Sequence, residues 1–480
     1  MKVMKQKFDF WKFLIKNKNL ISIVLFIILF LGVNLVRTSI SNQFPTAESN
    51  IFLNEFNNYQ NFNNIEGGNL FYELVIEFSF IFGQEFTIFF MLFAFGILNI
   101  FLFNKISDSL LKRDLDKIIA NTLFVLSNFF IASATTFNYL PIIITIILWT
   151  ILFSLRKPTL VFIPIIVGLF INVELATANL IFAIVFFIIN KNISKIEELR
   201  TLKSSKFIKL NMVIPIVVFG ALYLLELIKI TPFLLEINYS WWVAGANSIY
   251  NIPIICLALG IFALFTEIKS RRITILFILI VGLSWINFFV GLISMITTLI
   301  LAAIGTRYII LRKWFVKALK KPAILLLILL FVFNSISYSQ SLIESGPSNA
   351  IVEDIKVLEN FSINENVSTI LCEFEDCEIV TLYSELEVYY SSNNYINKID
   401  HFNKINSTET MLTNSNLQVM EDFFAENNIS TVFISKKTLN NRWTRADEGI
   451  LLLLTQSERF VRLNNTQESF IYHYTGKIDE

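Results

Sequence analysis

Apolar runs of about the length that crosses a bilayer recur in this chain from Leu20 to Tyr338, so lipid is the expected solvent for most of it. The composition agrees. Of the 480 residues, 55% are hydrophobic, only 16% are charged and 49 are Phe, whereas a soluble chain of this length divides into several domains with polar surfaces. A net charge of +1 removes any bulk electrostatic preference for nucleic acid or for acidic partners.

Eleven spans are predicted, at 20–37, 86–104, 118–135, 139–154, 159–173, 176–190, 209–229, 249–266, 273–287, 289–305 and 322–338. The first follows Lys2, Lys5, Lys7, Lys12, Lys16 and Lys18, and no small-residue cleavage site comes after it, which reads as an uncleaved signal anchor. Alternate linkers are basic: Lys105 to Lys117, Arg156 and Lys157, Lys191 to Lys209, Lys269 to Arg272, and Arg307 to Lys321. The opposite linkers are nearly free of Lys and Arg. This asymmetry is the positive-inside pattern. It predicts an α-helical polytopic membrane protein of about eleven transmembrane helices, N-terminus in and C-terminus out, with an exterior α/β domain from about Ser339. Two short apolar stretches meet near Asn287 to Val290 with almost no loop. As a re-entrant hairpin they keep this topology; as one long span they put Arg307 to Lys321 outside, against the charge rule.

Two exterior parts are large enough for chemistry, the loop Thr38 to Gln84 and the C-terminal domain. The loop carries Glu48, Glu55, Glu66, Glu73 and Glu77 but no Lys, Arg, His or Cys. Glu73 and Glu77 share one face of a helix expected over Leu70 to Phe82, a pattern suited to the membrane interface. In the C-terminal domain, helical periodicity at 350–358, 417–426 and 447–456 alternates with β-rich runs at 369–373, 430–435, 460–463 and 470–474. That order implies a two- or three-layer sheet domain. Cys372 and Cys377 either form a short-loop disulfide, as an oxidising exterior allows, or remain free thiols. Sequons occur at Asn360, Asn366, Asn406, Asn428 and Asn464, compatible with an exterior domain.

The common soluble-enzyme motifs are missing: no phosphate-binding Walker loop, no dinucleotide glycine fingerprint, no nucleophile elbow and no metalloprotease helix. With only His401 and His473 in the chain, a His-based triad is disfavoured. Neither these histidines nor the two exterior cysteines have zinc-ligand spacing, and no divalent metal is indicated. Ion-coupled transport usually needs ionisable groups at mid-membrane, but Glu174 and Glu226 sit toward outer helix ends, with Lys229 one turn beyond Glu226. What remains is an acid just outside the first span. Glu48, in Pro45-Thr46-Ala47-Glu48, has the position of a general base for a hydroxyl attacking a lipid-linked sugar; the alternative for an acid in a polar loop is plain solvation.

In this arrangement the chain resembles the GT-C superfamily of membrane glycosyltransferases, which use polyprenyl-phosphate-linked sugars. The likeness lies in a first span, an exterior loop with an early acid, many further spans and an exterior α/β domain. Local stretches similar to archaeal-type members are Asn128 to Trp149, Gly168 to Ala176, Phe423 to Ser435, and Arg442-Trp443-Thr444-Arg445-Ala446-Asp447-Glu448-Gly449 followed by Ile450 to Leu454. The resemblance implies that Glu48 is the catalytic acid of the first loop. It implies an arginine that holds the lipid phosphate, for which Arg442, Arg445 and Arg37 are candidates. Tyr139, in an exterior turn, and Glu174 complete the substrate-binding set. Implied partners are the bilayer, a polyprenyl-phosphate sugar and an exterior glycan, lipid or protein acceptor, with a multi-pass place in the cell membrane. The departures are specific. The turn before Tyr139 offers Asn138 but no acid, Trp241-Trp242 is followed by Val243-Ala244 in an inter-span loop, and Glu48 is followed by Ser49 rather than a second acid. These disfavour the oligosaccharyltransferase and protein O-mannosyltransferase branches. The competing readings are a non-catalytic scaffold that keeps the fold and a lipid or solute transporter.

Overall fold

In the computed structural model the described residues are 17–41, 70–137, 140–171, 173–193, 254–268, 288–312, 317–344, 349–365, 369–384, 386–390, 398–443, 445, 448–464, 466 and 469–475, with four single positions between 274 and 281. The chain separates into two units, one of Met1–Leu35 with Glu66–Ile343, the other of Val36–Ile65 with Glu344–Glu480.

The first unit is helical: α1 (Lys18–Ser41), α2 (Leu70–Phe82), α3 (Gln84–Leu110), α4 (Asp114–Val125), α5 (Asn128–Thr135), α6 (Leu140–Arg156), α7 (Phe162–Ile171), α8 (Val173–Ile193), α9 (Ile254–Ala263), α10 (Phe288–Leu311) and α11 (Lys317–Glu344). Among the described residues Phe86–Leu110, Phe289–Leu311 and Ala318–Gln340 are long and apolar enough to cross a membrane, and α4 with α5 makes a fourth if that bent pair is one span. The expected spans at 209–229 and, for the most part, 273–287 lie outside the described residues. Helix α2 occupies the segment expected of an interfacial helix, with Glu77 exposed beside Phe78, Phe80, Ile81 and Phe82. It ends at Gly83, whose φ of 86° is costly for any residue with a Cβ.

Close packing in this unit relies on small residues. The Phe26 ring lies directly on Gly96 of α3, leaving no room for a Cβ, and Gly305 of α10 brings the helix against the Leu259 carbonyl of α9. Small residues allow such backbone approach between apolar helices. Polar side chains add to this: Asn99 of α3 donates to Pro141 O at 3.2 Å, and Thr145 of α6 donates to Asn99 Oδ1 at 2.8 Å.

The run read as one span at 118–135 is broken by 52° between Val125 and Asn128. A break frees backbone groups that lipid cannot satisfy, and protein groups satisfy them here. Ser335 of α11 donates to Leu126 O at 2.7 Å and the Ser127 hydroxyl donates to Phe124 O at 2.5 Å; between side chains, Asn334 donates to Asn128 Oδ1 at 2.9 Å. Near the ends of α3, α4, α6 and α10 lie several charged side chains, of which Asp116, Lys117 and Arg307 are buried while Arg156 is exposed. Arg307, expected in a basic linker, lies inside α10 with its Nε 2.7 Å from Asp116 Oδ1, and both side chains are buried. Arg156 donates to Ser109 Oγ at 2.7 Å and to Lys105 O at 3.2 Å, so it joins α6 to the last turns of α3.

The second unit contains α12 (Asn349–Glu365), β1 (Thr369–Cys372), α13 (Phe374–Tyr383), α14 (Lys398–Thr413), α15 (Leu417–Glu426), β2 (Ile429–Ser435), α16 (Lys436–Arg442), α17 (Gly449–Gln456), β3 (Phe460–Arg462) and β4 (Ser469–Tyr474). The strands form one sheet in the order β1-β2-β4-β3, with β1 and β2 parallel and the other pairs antiparallel. Alternation along each strand sends side chains to two cores. Ile370, Cys372, Phe433 and Ile471 pack with Ile355 and Leu358 of α12 and Ile379 and Val380 of α13. Leu371, Val432, Ile434 and Tyr472 pack with residues of α14, α15 and α17. Helices therefore cover both faces, the three-layer form of the expected α/β domain.

Asp354 of α12 fastens one face to the β3–β4 connection: it accepts from Thr466 Oγ1 at 2.5 Å and from the Ser469 hydroxyl, while the Asn464 amide donates to Ser469 O at 2.8 Å. Asn464 is thus buried and its amide engaged, whereas Asn360, Asn406 and Asn428 are exposed.

Candidate functional site

Glu48 and Tyr139 lie outside the described residues. Arg37 falls in the last turns of α1 and Glu174 in the first turn of α8, placed by backbone alone. Arg442 and Arg445 belong to one local arrangement in the second unit.

Because β1 and β2 are parallel, their carboxyl ends lie on the same side of the sheet, where open α/β sheets tend to bind ligands. Glu373 directly follows β1 and Ser435 closes β2. Helix α16 begins from Ser435, whose hydroxyl accepts from Thr438 N at 3.2 Å as an N-cap, and it ends at Arg442. The Arg442 guanidinium turns back to Glu373. Its Nε donates to Glu373 Oε1 at 2.8 Å, its Nη2 lies 2.7 Å from the same oxygen, and its Nη1 is 3.8 Å from Glu409 Oε1 on α14. Glu373 is the N-cap residue of α13, yet its carboxylate makes no capping bond; the arginine takes it instead.

Glu373 is flanked by two constraints. Cys372 and Cys377 are disulfide-bonded, and both are fully buried. Inside that loop Asp376 accepts the Ser435 backbone N–H at 2.9 Å. Burial holds the Asp376 carboxyl well above the usual range, at about 6, against the lowering effect of its bonds from Ser435 and Thr438; nearby Glu373 adds to the rise.

Beyond Arg442 the chain is pinned at two more points before α17. Trp443 is buried in the core shared with α14 and α15. Gly449 has φ +56°, and a Cβ there would stand 2.6 Å from Leu412 O. Between these anchors Arg445 is exposed, with no ion-pair partner among the described residues. The structure thus brings Arg442 together with Glu373 and Glu409, a pair of acids that the sequence reading did not single out. Their signal in the sequence is faint. Glu373 adjoins Cys372, and Glu409 lies in a polar helix without an apolar period.

No group of three or more His, Cys, Asp and Glu that suits a metal occurs among the described residues.

No family model and no curated protein sequence matches the chain. Solved structures do. The archaeal oligosaccharyltransferase AglB from Archaeoglobus fulgidus, in complex with an inhibitory peptide and a dolichol-phosphate, aligns at a TM-score of 0.56 and 10% identity over 98% of this chain and 75% of its own. The apo form of the Archaeoglobus fulgidus oligosaccharyltransferase gives 0.54 at 12% identity over 97% and 75%. The form tethered to an acceptor peptide with the NVT sequon gives 0.53 at 13% identity over 88% and 70%. The chain therefore shares the fold of the archaeal oligosaccharyltransferase.

Proposed function

We propose that this protein transfers a sugar from a polyprenyl-phosphate-linked donor to an acceptor outside the membrane. The observation that carries the reading is the fold likeness to an archaeal oligosaccharyltransferase over nearly the whole chain, since that relative binds a dolichol-phosphate and an acceptor peptide. The chain lies in the membrane with about eleven spans and its C-terminal domain outside. Two observations support this orientation: the alternation of basic linkers in the sequence, and the Cys372–Cys377 disulfide, a bond typical of oxidising compartments.

In the reaction, the acceptor oxygen forms a bond to the anomeric carbon as the bond from that carbon to the phosphate oxygen breaks. Glu48 takes the acceptor proton, and the phosphate charge that develops falls to an arginine, Arg442 or Arg445, with Arg37 as a third candidate. Tyr139 and Glu174 contact the substrates. The test is transfer by membranes carrying the full chain, offered a panel of polyprenyl-phosphate sugars with and without a chelator. Glu48→Gln is expected to cut transfer by about 10² or more. Parental rates in that variant overturn the base, and no transfer from any donor overturns the function.

One observation favours a second reading, a non-catalytic protein that keeps the fold. Arg442 is already held by a carboxylate. The same assay decides between the two.

A further inference from the structure

The geometry points to Arg442 as a guanidinium with two working edges: Glu373 fixes its side edge, and its Nη1 end is an oxyanion-binding edge that Glu409 screens until a phosphate displaces it. This rests on the glycosyl-transfer reading for the identity of the phosphate, though not for the edge itself.

A guanidinium carries five N–H donors in a planar fork and binds one carboxylate or phosphate along each of its edges. On Arg442 the edge made by Nε and Nη2 is taken, at 2.8 and 2.7 Å from Glu373 Oε1. Glu373 is itself rigidly placed. It is the residue between β1 and α13, its neighbour Cys372 is disulfide-bonded, and its side chain is about three-quarters covered. The Nη1 end differs. The acid nearest to it there among the described residues, Glu409, stands at 3.8 Å, beyond hydrogen-bond reach, and its side chain is 59% exposed. A solvated carboxylate at that distance is held weakly and can swing away at little cost. Arg442 itself retains 22% side-chain exposure. The position is also apt, at the carboxyl ends of the two parallel strands. Glu373 is then a positioning residue for Arg442, and Glu409 is a competitor for its Nη1 edge.

The ligand class is a phosphate monoester or diester, supplied either by a polyprenyl phosphate or by free phosphate. The test uses the detergent-solubilised full chain, titrated with a short-chain prenyl phosphate and separately with inorganic phosphate, at two salt concentrations. Glu409→Gln is expected to tighten prenyl-phosphate binding about 5- to 10-fold, the effect shrinking in high salt. Arg442→Gln is expected to weaken it by at least that factor. Glu373→Gln is expected to weaken it less than Arg442→Gln does, and the double variant Glu373→Gln with Arg442→Gln to match Arg442→Gln alone, which a purely structural role for Glu373 does not produce. Tighter binding of the prenyl phosphate alone assigns the edge to a lipid headgroup; equal gains with inorganic phosphate assign it to phosphate in general. The proposal is overturned if the parental chain binds neither probe, or if Glu409→Gln and Arg442→Gln, with unfolding temperatures near the parental one, leave affinity unchanged. If sugar transfer fails while these shifts appear, the edge stands without that function. If transfer proceeds without these shifts, the edge alone is wrong.

Discussion

The Asp376 carboxylate accepts the backbone N–H of Ser435 at 2.9 Å across the ends of two parallel strands, and so ties the disulfide loop after β1 to the residue where β2 becomes α16. Burial of this group raises its pKa to about 6 from an ordinary 3.8. The folded state then binds the proton more tightly than the unfolded chain does. The resulting stability is complete below the ordinary value and is lost as pH rises through about 6. The lost amount is at most about 3 kcal/mol, at 1.36 kcal/mol per pKa unit. Asp376→Asn keeps an acceptor for Ser435 N and removes the titration. Differential scanning calorimetry from pH 5 to pH 8 is expected to show the parental protein falling relative to this variant, with the widest gap above pH 7; parallel curves refute the assignment.

Gly449 sits at φ +56° against the Leu412 carbonyl. A Cβ there meets both a disfavoured backbone conformation and a backbone oxygen 2.6 Å away, so Gly449→Ala is expected to cost about 2 to 3 kcal/mol. Limited proteolysis of the segment between Trp443 and Gly449 reports the loss as faster cleavage.

The Cys372–Cys377 bond closes a short loop. For a loop of this size the chain-entropy estimate is about 2 kcal/mol. Replacing both cysteines with Ser is expected to lower the stability of the domain by that amount, plus the cost of two hydroxyls in the buried core. Intact mass of the protein, alkylated with and without reductant, establishes whether the bond forms in membranes. Alkylation at Cys372 and Cys377 without reductant is the contrary result.

Asp116 and Arg307 form a buried ion pair between α4 and α10. Removing one partner strands a charge, so Asp116→Leu or Arg307→Met alone is expected to cost about 3 to 5 kcal/mol, while the two together recover most of it. Thermal stability in detergent and the yield of inserted protein measure both effects. A loss in the double variant equal to the sum of the two single losses means that the two residues act independently.

The strands of the second unit were legible because they are rich in β-branched and aromatic residues, as in Ile429 to Ile434 and Phe470 to Tyr474. Helix α14 was not legible. It is polar on nearly every face, from Lys398 through Asn403, Ser407 and Thr410, and packing of Ile405, Met411 and Leu412 on the core fixes it. Helices α13 and α16 are short, and tertiary contacts rather than periodicity set their ends. The Arg442–Glu373 contact joins residues 69 positions apart, a distance closed only by the crossover between β1 and β2, which no local pattern encodes. The break at Ser127 was hidden for a related reason. No Gly or Pro marks it, and the group that satisfies Leu126 O comes from Ser335, 209 positions away. Of the arginines read from the sequence as candidates, Arg442 and Arg445 stand in one anchored segment, but the acids around Arg442 emerged from the fold.

The strand order carries a consequence for biosynthesis. β4 follows every other strand in the chain, yet it lies between β2 and β3. While it is still being made, β2 has an open edge and β3 has no partner, so the sheet cannot close until Tyr474 has left the ribosome and, in the proposed topology, crossed the membrane. Until then the apolar edge of β2 is exposed to other chains. A stop codon before Ser469 is therefore expected to leave the helices of the first unit inserted while the second unit becomes a substrate for quality-control proteases.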